Sequence, residues 1–199
     1  MPGRIHSDAI GLAALILVVA AWIFFGAIFL VRKRFVKVEE TKRAPAATVG
    51  IVLQSLSFVL VSNFRRSEWW PFGPSVAGEL ALAALAVLLS WLSAWFCLRA
   101  VQTLGKQWTF AARVISGHEL VTAGPYSVVR NPIYLGMFGL MLGTGLVLAT
   151  WWSLVAAIVI YLLGNGIRIR AEEQLLEETF GTQFQEYANR VPAFLPRIF

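Results

Sequence analysis

The feature that most constrains the fold is an uncharged, largely apolar run from Ile133 to Ile167. It is 35 residues long, so one helix would extend about 52 Å, whereas the hydrocarbon core of a bilayer is about 30 Å thick. Two short helices joined near Thr150–Ser153 fit that thickness better, and Trp151 and Trp152 suit a turn at the membrane surface. The run therefore predicts a membrane-embedded helical hairpin.

Three further apolar runs precede the hairpin, at Ala9–Val31, Ala44–Val61 and Val76–Leu98. Only 14% of the residues are charged, against about a quarter in soluble domains, so we expect the excess apolar surface to face lipid. The first run is long for a signal peptide and its basic cluster follows it, which favours a retained span. We predict an all-α, polytopic membrane helix bundle with about five transmembrane helices. It would form one domain, with three spans in residues 1–100 and the connector, hairpin and C-terminal cytoplasmic helix in residues 101–199.

The basic residues predict the orientation of these spans. Five spans place segments 31–44, 99–131 and 168–197 on one side of the membrane, and these segments hold fourteen of the seventeen Lys and Arg residues. By the positive-inside rule that side is cytoplasmic, so the N-terminus is expected outside and the C-terminus in the cytoplasm. Because the basic residues flank apolar spans, the net charge of +6 indicates lipid headgroups and not nucleic acid as the partner.

Polar and metal-ligating residues are sparse within the spans. Gln54 and Ser55 are expected either to satisfy a neighbouring helix or to point into the bundle, and the first interpretation is favoured. Cys97 is the single cysteine, and His6 and His118 are far apart in the sequence. This spacing indicates no structural zinc site, and no metal is predicted.

Two polar segments flank the hairpin, Gly105–Asn131 and Arg168–Pro192, and any chemistry is expected in them. Both fall on the predicted cytoplasmic side at the two ends of one short hairpin, so they should lie close together. Asn131-Pro132 reads as a helix start, with Pro132 in the first turn and Asn131 at the N-cap. Gly181 is expected to end the long helix that leaves the membrane.

Two arginines in these segments allow more than one interpretation. Arg130 can contact a phosphate headgroup, or it can hold a carboxylate or phosphate ligand by a bidentate contact. Arg168 and Glu172 are i, i+4 neighbours, which suits a solvated helix face, yet they lie just beyond the lipid core, where ionisable residues usually face the bundle interior.

Taken together, the polar motifs resemble those of the isoprenylcysteine carboxyl methyltransferase family of integral-membrane methyltransferases, over about residues 104–196. The matching motifs are Gly105-Lys106-Gln107-Trp108, Leu120-Val121, Gly124-Pro125-Tyr126, Val129-Arg130-Asn131-Pro132-Ile133-Tyr134, Arg168-Ile169, Glu172-Glu173, Phe180-Gly181, Tyr187 and Arg190-Val191-Pro192. The ordered set is fairly specific, although any single motif would be weak.

The resemblance implies S-adenosylmethionine as the cofactor and a lipid-like or lipidated substrate that enters from the bilayer, in a bacterial inner membrane. The cofactor site implied by the resemblance comprises Gln107, Val121, Gly124, Pro125, Tyr126, Arg130, Asn131, Pro132, Tyr134, Glu172 and Glu173. The implied catalytic residues are Arg168, Glu173 and Arg130, with Arg168 facing the substrate carboxylate and Glu173 near it.

Asn131 is one departure from the family, which usually has His at this position. Asn cannot be protonated near neutral pH, but a carboxylate nucleophile is already ionised there and needs no general base. The departure is therefore compatible with methylation of a carboxylate on an apolar acceptor, which is the reaction that the resemblance implies. Two alternatives stay open: methylation of a phospholipid or other amine by the same fold, and a non-enzymatic lipid-binding protein.

Overall fold

A computed structural model describes residues 2–33, 46–63, 75–105 and 120–196 of the chain. Its helices are α1 (Pro2–Lys33), α2 (Ala46–Asn63), α3 (Val76–Leu104), a 3-10 turn (Gly124–Ser127), α4 (Pro132–Leu148), α5 (Trp151–Phe180) and α6 (Thr182–Arg190). The prediction of an all-α bundle is confirmed. Of the basic segment expected on the cytoplasmic side, 31–44, residues 34–44 lie outside the described residues, and the orientation of the chain stays a prediction.

Three of the described helices are long and apolar enough to cross a membrane, namely α1 over Ala9–Leu30, α3 and α5. The apolar stretches of α2 and α4, Ala47–Asn63 and Pro132–Leu148, are shorter. Each of these two extends about 25 Å, near the lower limit for a span. Apolar side chains such as Ile23, Leu88 and Leu163 are exposed on the outside of the bundle, as expected for surfaces that face lipid. The count of five spans stays a prediction.

The predicted hairpin is present, and its turn lies where the sequence indicated. Helix α4 ends at Leu148, and α5 begins at Trp151 with Thr150 as its N-cap. The Thr150 hydroxyl accepts a hydrogen bond from the Ser153 backbone N–H, which satisfies one of the free donors at the helix start. Helix α5 has 30 residues, so it extends about 45 Å and carries its polar end beyond a bilayer core.

Small residues bring α3 and α4 together. A Cβ at Gly136 would lie 2.2 Å from Cys97 Sγ, and one at Gly143 would lie 2.8 Å from the Ala86 carbonyl oxygen. Since lipid provides no hydrophobic driving force between helices, such close backbone approach is a main source of stability in a membrane bundle. The approach also fixes the start of α4, from which Tyr134 reaches the polar site described below.

Helices α2 and α5 pack through a second glycine contact, where a Cβ at Gly164 would lie 2.8 Å from both the Gly50 carbonyl oxygen and Leu53 Cβ. Further along the two helices, Val61 of α2 packs with Ala157 and Tyr161 of α5 in a buried apolar cluster. The glycines therefore fix α2 against the half of α5 that carries the polar residues.

Replacing Gly164 with alanine is expected to destabilise the protein by about 1–3 kcal/mol, because the added methyl group meets backbone that cannot move aside. Gly166→Ala on the same helix is the matched control, since a Cβ there meets nothing within 4 Å; helix propensity predicts a gain of about 0.5–1 kcal/mol. Thermal unfolding in detergent, followed by tryptophan fluorescence, measures both variants. Equal melting temperatures for the two variants would contradict the close packing of α2 on α5.

Candidate functional site

The two polar segments meet at one end of the helical hairpin. The guanidinium of Arg130, just before α4, lies 2.8 Å from the carboxylate of Glu173 on α5. Because α4 and α5 are the two arms of the hairpin, the residues that flank its open end are brought together, as the sequence predicted. The site contains two centres, one around Arg130 and one around Arg168.

Arg130 is engaged almost completely by the protein itself. Its Nε and Nη2 atoms donate to the two carboxylate oxygens of Glu173, both at 2.8 Å. Its Nη1 donates to the carbonyl oxygens of Ala188 (2.8 Å) and Val191 (2.5 Å). Contacts within the described residues thus use four of its five N–H groups. The bidentate carboxylate contact anticipated for Arg130 is present, but its partner is Glu173 and not a ligand.

Asn131 joins the same centre. Its Nδ2 donates to Glu173 Oε1 (3.2 Å) and to the Ala193 carbonyl oxygen (2.9 Å). The backbone N–H groups of Arg130 and Asn131 also donate to the carbonyls of Pro192 and Ala193. Asn131 does occupy the N-cap position before Pro132, but its side chain makes no capping bond to the helix. The amide instead fastens the C-terminal segment, residues 191–196, to α5.

The second centre surrounds Arg168, which is buried on α5. Its Nη2 lies 3.5 Å from Glu172 Oε1, and its guanidinium lies 4.4 Å from the centre of the Tyr134 ring. The Tyr134 hydroxyl donates a short hydrogen bond to the same Glu172 oxygen. The Tyr161 hydroxyl donates to the Tyr134 carbonyl oxygen at 2.8 Å, which fixes the first turn of α4. Tyr134 and Glu172 therefore hold the guanidinium from two sides.

Arg168 retains N–H groups that the described residues do not use. Its Nε is buried and has no hydrogen-bond partner there, and one N–H on each Nη atom is also uncommitted. A buried donor without a partner is costly, and in a native protein it commonly indicates a ligand or water that completes the site. Arg168 is therefore more available to bind an anion than Arg130, which keeps a single uncommitted N–H.

The resemblance implied that Glu173 lies near the substrate carboxylate that Arg168 would face, and the structure places Glu173 in the other centre. Glu173 pairs with Arg130, and the carboxylate next to Arg168 is that of Glu172. The reason is helical phase: Glu172 is one turn beyond Arg168 on the same face, and Glu173 is rotated away by about 100°. The two acidic residues therefore belong to different centres.

The connector before α4 carries other residues of the predicted cofactor site. Gly124 has a φ of 59°, which glycine adopts at no steric cost. Tyr126 is buried, and its carbonyl oxygen accepts a hydrogen bond from the Tyr187 hydroxyl at 2.6 Å. Burial raises the pKa of Tyr126, and it raises the pKa of Tyr187 to about 12, so both phenols stay protonated and can only donate or accept hydrogen bonds at neutral pH.

The remaining predicted cofactor residues fall in three groups. Val121 and Pro125 are half-buried in the connector, and Pro132 is buried at the start of α4. Gln107 lies outside the described residues. On helix α6, Phe184 and Tyr187 are buried.

A groove of about 460 Å³ lies between α5 and α6, next to the Arg130 centre. Its lining residues are Arg170, Glu173, Gln174, Glu177, Phe184, Gln185, Ala188 and Asn189. Glu173 thus separates this groove from Arg130 and Asn131.

Sequence reasoning missed two residues of the Arg168 centre. Gln54 on α2 accepts a hydrogen bond from Arg168 Nη1 at 2.9 Å, and Asn165 on α5 accepts one from Gln54 Nε2 at 3.2 Å. Gln54 was interpreted as a hydrogen-bond partner for a neighbouring helix. It does bond to α5, and one of its two partners there is the buried Arg168. Ser55, by contrast, is exposed and bonds to its own helix. Asn165, a polar residue within the apolar run and less than one turn before Arg168, was the signal that could have revealed the pair.

Asn131→Asp is expected to destabilise the protein at neutral pH, because a carboxylate there faces the oxygens of Glu173 and Ala193 with nothing to donate. The charge of Glu173 should raise the pKa of the introduced carboxyl above its usual value of about 3.9. The folded protein then binds the proton more tightly than the unfolded protein, so the deficit should shrink as pH falls through the folded-state pKa. Melting temperatures relative to the unsubstituted protein, measured between about pH 4.5 and pH 8, test this. A pH-independent deficit would contradict the proximity of the two side chains.

Known proteins with similar sequences or folds include membrane methyltransferases. The family model for phospholipid methyltransferases matches residues 81–183. The protein-S-isoprenylcysteine O-methyltransferase of Saccharomyces cerevisiae is 35% identical over 141 residues, which is 70% of this chain and 59% of that protein. A solved structure of a eukaryotic intramembrane Ras methyltransferase, isoprenylcysteine carboxyl methyltransferase, is similar with a TM-score of 0.57 and 25% identity; the match covers 79% of this chain and 55% of that one.

A nickel-cobalt-cadmium resistance protein of Alcaligenes xylosoxydans is also similar, with 37% identity over 153 residues, or 75% of this chain and 65% of that protein. Within the residues that the structure describes, no group of three or more His, Cys, Asp or Glu is placed to hold a metal ion. The chain spans from about half to two thirds of the length of most of the curated relatives it matches.

Proposed function

Because this chain belongs to the phospholipid methyltransferase family, we propose that it transfers a methyl group from S-adenosylmethionine to the carboxylate of a lipidated or otherwise apolar acceptor in the membrane. The observation that carries the proposal is the buried guanidinium of Arg168, whose Nε has no partner among the described residues. A buried guanidinium at one end of an apolar helix bundle suits an acceptor that joins a carboxylate to an apolar, lipid-like group. The names of the isoprenylcysteine methyltransferase relatives support the same acceptor class.

The donor and acceptor groups of the site suit S-adenosylmethionine, which presents a carboxylate, an ammonium group and ribose hydroxyls. Within the described residues Glu172 Oε2 accepts no hydrogen bond, Glu173 Oε2 accepts one, and Arg130 keeps one N–H uncommitted. The residues that we propose to hold the cofactor are Gln107, Val121, Gly124, Pro125, Tyr126, Arg130, Asn131, Pro132, Tyr134, Glu172 and Glu173. When bound, the cofactor supplies a methyl group on a sulfonium centre, which is activated towards displacement.

The residues of the chain contribute position and electrostatics. A carboxylate acceptor is ionised at pH 7, so none of the side chains has to remove a proton from it. Arg168 offers N–H groups to that carboxylate, with its charge only partly offset by Glu172 at 3.5 Å. Tyr134 and Glu172 restrict the orientation of the guanidinium, and through it the orientation of the bound acceptor. Holding two reactants in line can lower the activation free energy of the transfer by several kcal/mol.

Arg130 and Glu173 also hold together the segments that we propose to bind the cofactor. Their ion pair connects the start of α4 with α5 and, through two carbonyls, with the end of α6. We therefore propose Arg130 as a positioning residue for the cofactor segments. Glu173 also lines the groove between α5 and α6, and we propose that it contacts the cofactor there.

A phospholipid amine is the second candidate acceptor, and the family's description favours it. An amine is protonated at neutral pH and must lose its proton before attack, so this reaction needs a base. Glu172 is the carboxylate beside Arg168 that could accept it. The adjacent guanidinium, however, repels an ammonium group, which makes the carboxylate acceptor the better fit.

Titration calorimetry of the purified chain with S-adenosylmethionine tests cofactor binding. Saturable binding is expected, and Glu172→Ala should weaken it by about tenfold because a charged hydrogen-bond partner is lost. Glu186→Ala, an exposed acidic residue on α6, is the matched control and should leave the affinity unchanged. An absence of binding would favour a non-enzymatic lipid-binding role and overturn the proposal.

A further inference from the structure

Arg168 is connected to α2 by two buried amides in series. Gln54 and Asn165 are each 2% exposed. Arg168 Nη1 donates to Gln54 Oε1 at 2.9 Å, and Gln54 Nε2 donates to Asn165 Oδ1 at 3.2 Å. Arginine can only donate, so Gln54 must present its oxygen to Arg168 and its nitrogen to Asn165. Arg168 thus fixes which way round the Gln54 amide lies, and the Gln54 nitrogen is in turn held by the Asn165 oxygen, so the two amides hold the guanidinium against α2.

The contact between α2 and α5 also confines the aliphatic part of the Arg168 side chain. A Cβ at Gly50 would lie 2.3 Å from Arg168 Cγ and 2.5 Å from the Gly164 carbonyl oxygen. Gly50 is one turn before Gln54 on α2, and Gly164 directly precedes Asn165 on α5. Because Gly50 and Gly164 have no side chains, the aliphatic part of Arg168 fits between the two helices. The Gln54 and Asn165 amides lie next to this gap on α2 and α5.

The chemistry of the amides matters as much as their position. An amide oxygen accepts a hydrogen bond from a guanidinium without neutralising its charge, whereas a carboxylate at the same place would form an ion pair. Arg168 already faces one carboxylate, Glu172, at 3.5 Å. A second one would satisfy the cation fully and reduce its attraction for an external anion.

We propose that Gln54 and Asn165 are positioning residues that orient Arg168 towards an anionic acceptor and keep its charge available. The inference rests on the proposed function. It assigns a role in the reaction to α2, which lies outside the residues 81–183 that match the family model. A purely structural role, in which the amides only hold α2 against α5, makes different predictions.

Gln54→Glu separates the two roles, because it changes charge while it preserves shape. The introduced carboxylate can still accept from Arg168, and the Asn165 amide can turn to donate to it, so both hydrogen bonds survive. We expect the melting temperature and the affinity for S-adenosylmethionine to stay close to those of the unsubstituted protein. For an N-acetylated S-isoprenylcysteine as acceptor, kcat/KM should fall at least about fivefold.

Asn165→Asp is the second variant, for use if Gln54→Glu folds poorly. It introduces a negative charge next to Gln54 and keeps the oxygen that accepts from Gln54 Nε2, so we expect the same result. Ser55→Ala, at the exposed neighbouring position on α2, is the control and should change none of these quantities. A fall in kcat/KM smaller than about fivefold for stably folded variants would overturn the inference and leave a structural role. If the unsubstituted protein transfers no methyl group to the probe, the proposed function fails first and the inference fails with it.

Discussion

Arg168→Gln is expected to reduce methyl transfer by at least about a hundredfold, equivalent to about 2.7 kcal/mol of transition-state stabilisation. The substitution removes the buried cation that we propose binds the acceptor carboxylate, and hydrogen bonds to charged groups contribute about 1.5–3 kcal/mol each. Affinity for S-adenosylmethionine should change little, because Arg168 is assigned to the acceptor. Steady-state kinetics with varied acceptor, together with calorimetry of the cofactor, measures both quantities.

Two further substitutions sharpen this prediction. Arg168→Lys keeps the charge but loses the planar set of donors shared between Gln54 and Glu172, so its activity should lie between those of the unsubstituted protein and Arg168→Gln. Arg99→Gln, at an exposed position on α3, should leave activity unchanged. Near-normal kcat/KM in Arg168→Gln would remove this arginine from the reaction.

The second large effect is expected at the Arg130 centre. Glu173→Ala leaves Arg130 without its carboxylate partner, and breaking a buried ion pair costs about 3–5 kcal/mol. The side chains of Arg130 and Glu173 are 13% and 19% exposed, so we expect about 3 kcal/mol, the low end of that range. The melting temperature should therefore fall by several degrees, and cofactor binding should be lost.

Structure and cofactor contact can be distinguished at this centre. A double variant, Arg130→Met with Glu173→Leu, removes both charges and replaces them with apolar side chains of similar volume. Such replacements of buried pairs often restore stability. We expect the melting temperature to recover while binding of S-adenosylmethionine stays absent. Recovery of both would contradict the assignment of Glu173 to the cofactor, and Glu177→Ala, an exposed position one turn further along α5, serves as the stability control.

The hairpin and its turn could be predicted because they depend on local patterns. The length of the uncharged run, the turn near Thr150–Ser153 and Gly181 at the end of α5 are visible in a short stretch of sequence, and the structure confirms the turn and the helix end. The proximity of the two polar segments followed from the topology of a hairpin and needed no knowledge of individual contacts.

The individual pairings within the site could not be predicted in the same way. Gln54 is separated from Arg168 by 114 positions, and their contact depends on the close approach of Gly50 and Gly164. The family resemblance implied a position for Glu173 near the substrate carboxylate, and no local pattern indicated its ion-pair partner. Its actual partner, Arg130, is also held by carbonyls at Ala188 and Val191, which only the folded C-terminal segment supplies.

Asn131 was the position where the sequence departed from the family it resembles. In the structure its amide donates from a single nitrogen to both Glu173 and the Ala193 carbonyl. A neutral side chain with two N–H groups meets this requirement without a proton from solvent. This contact is compatible with carboxylate methylation, which needs no general base at that position.

The chemical class of the methylated product tests the central claim most directly. The purified chain, reconstituted in lipid vesicles, is supplied with S-adenosylmethionine that carries a labelled methyl group and with an N-acetylated S-isoprenylcysteine. Vesicle phospholipids with primary amine headgroups are present as competing acceptors. The account predicts that the label appears in the isoprenylcysteine fraction and is released by mild base, as a methyl ester is. Label that is found only in phospholipid and resists base would contradict it.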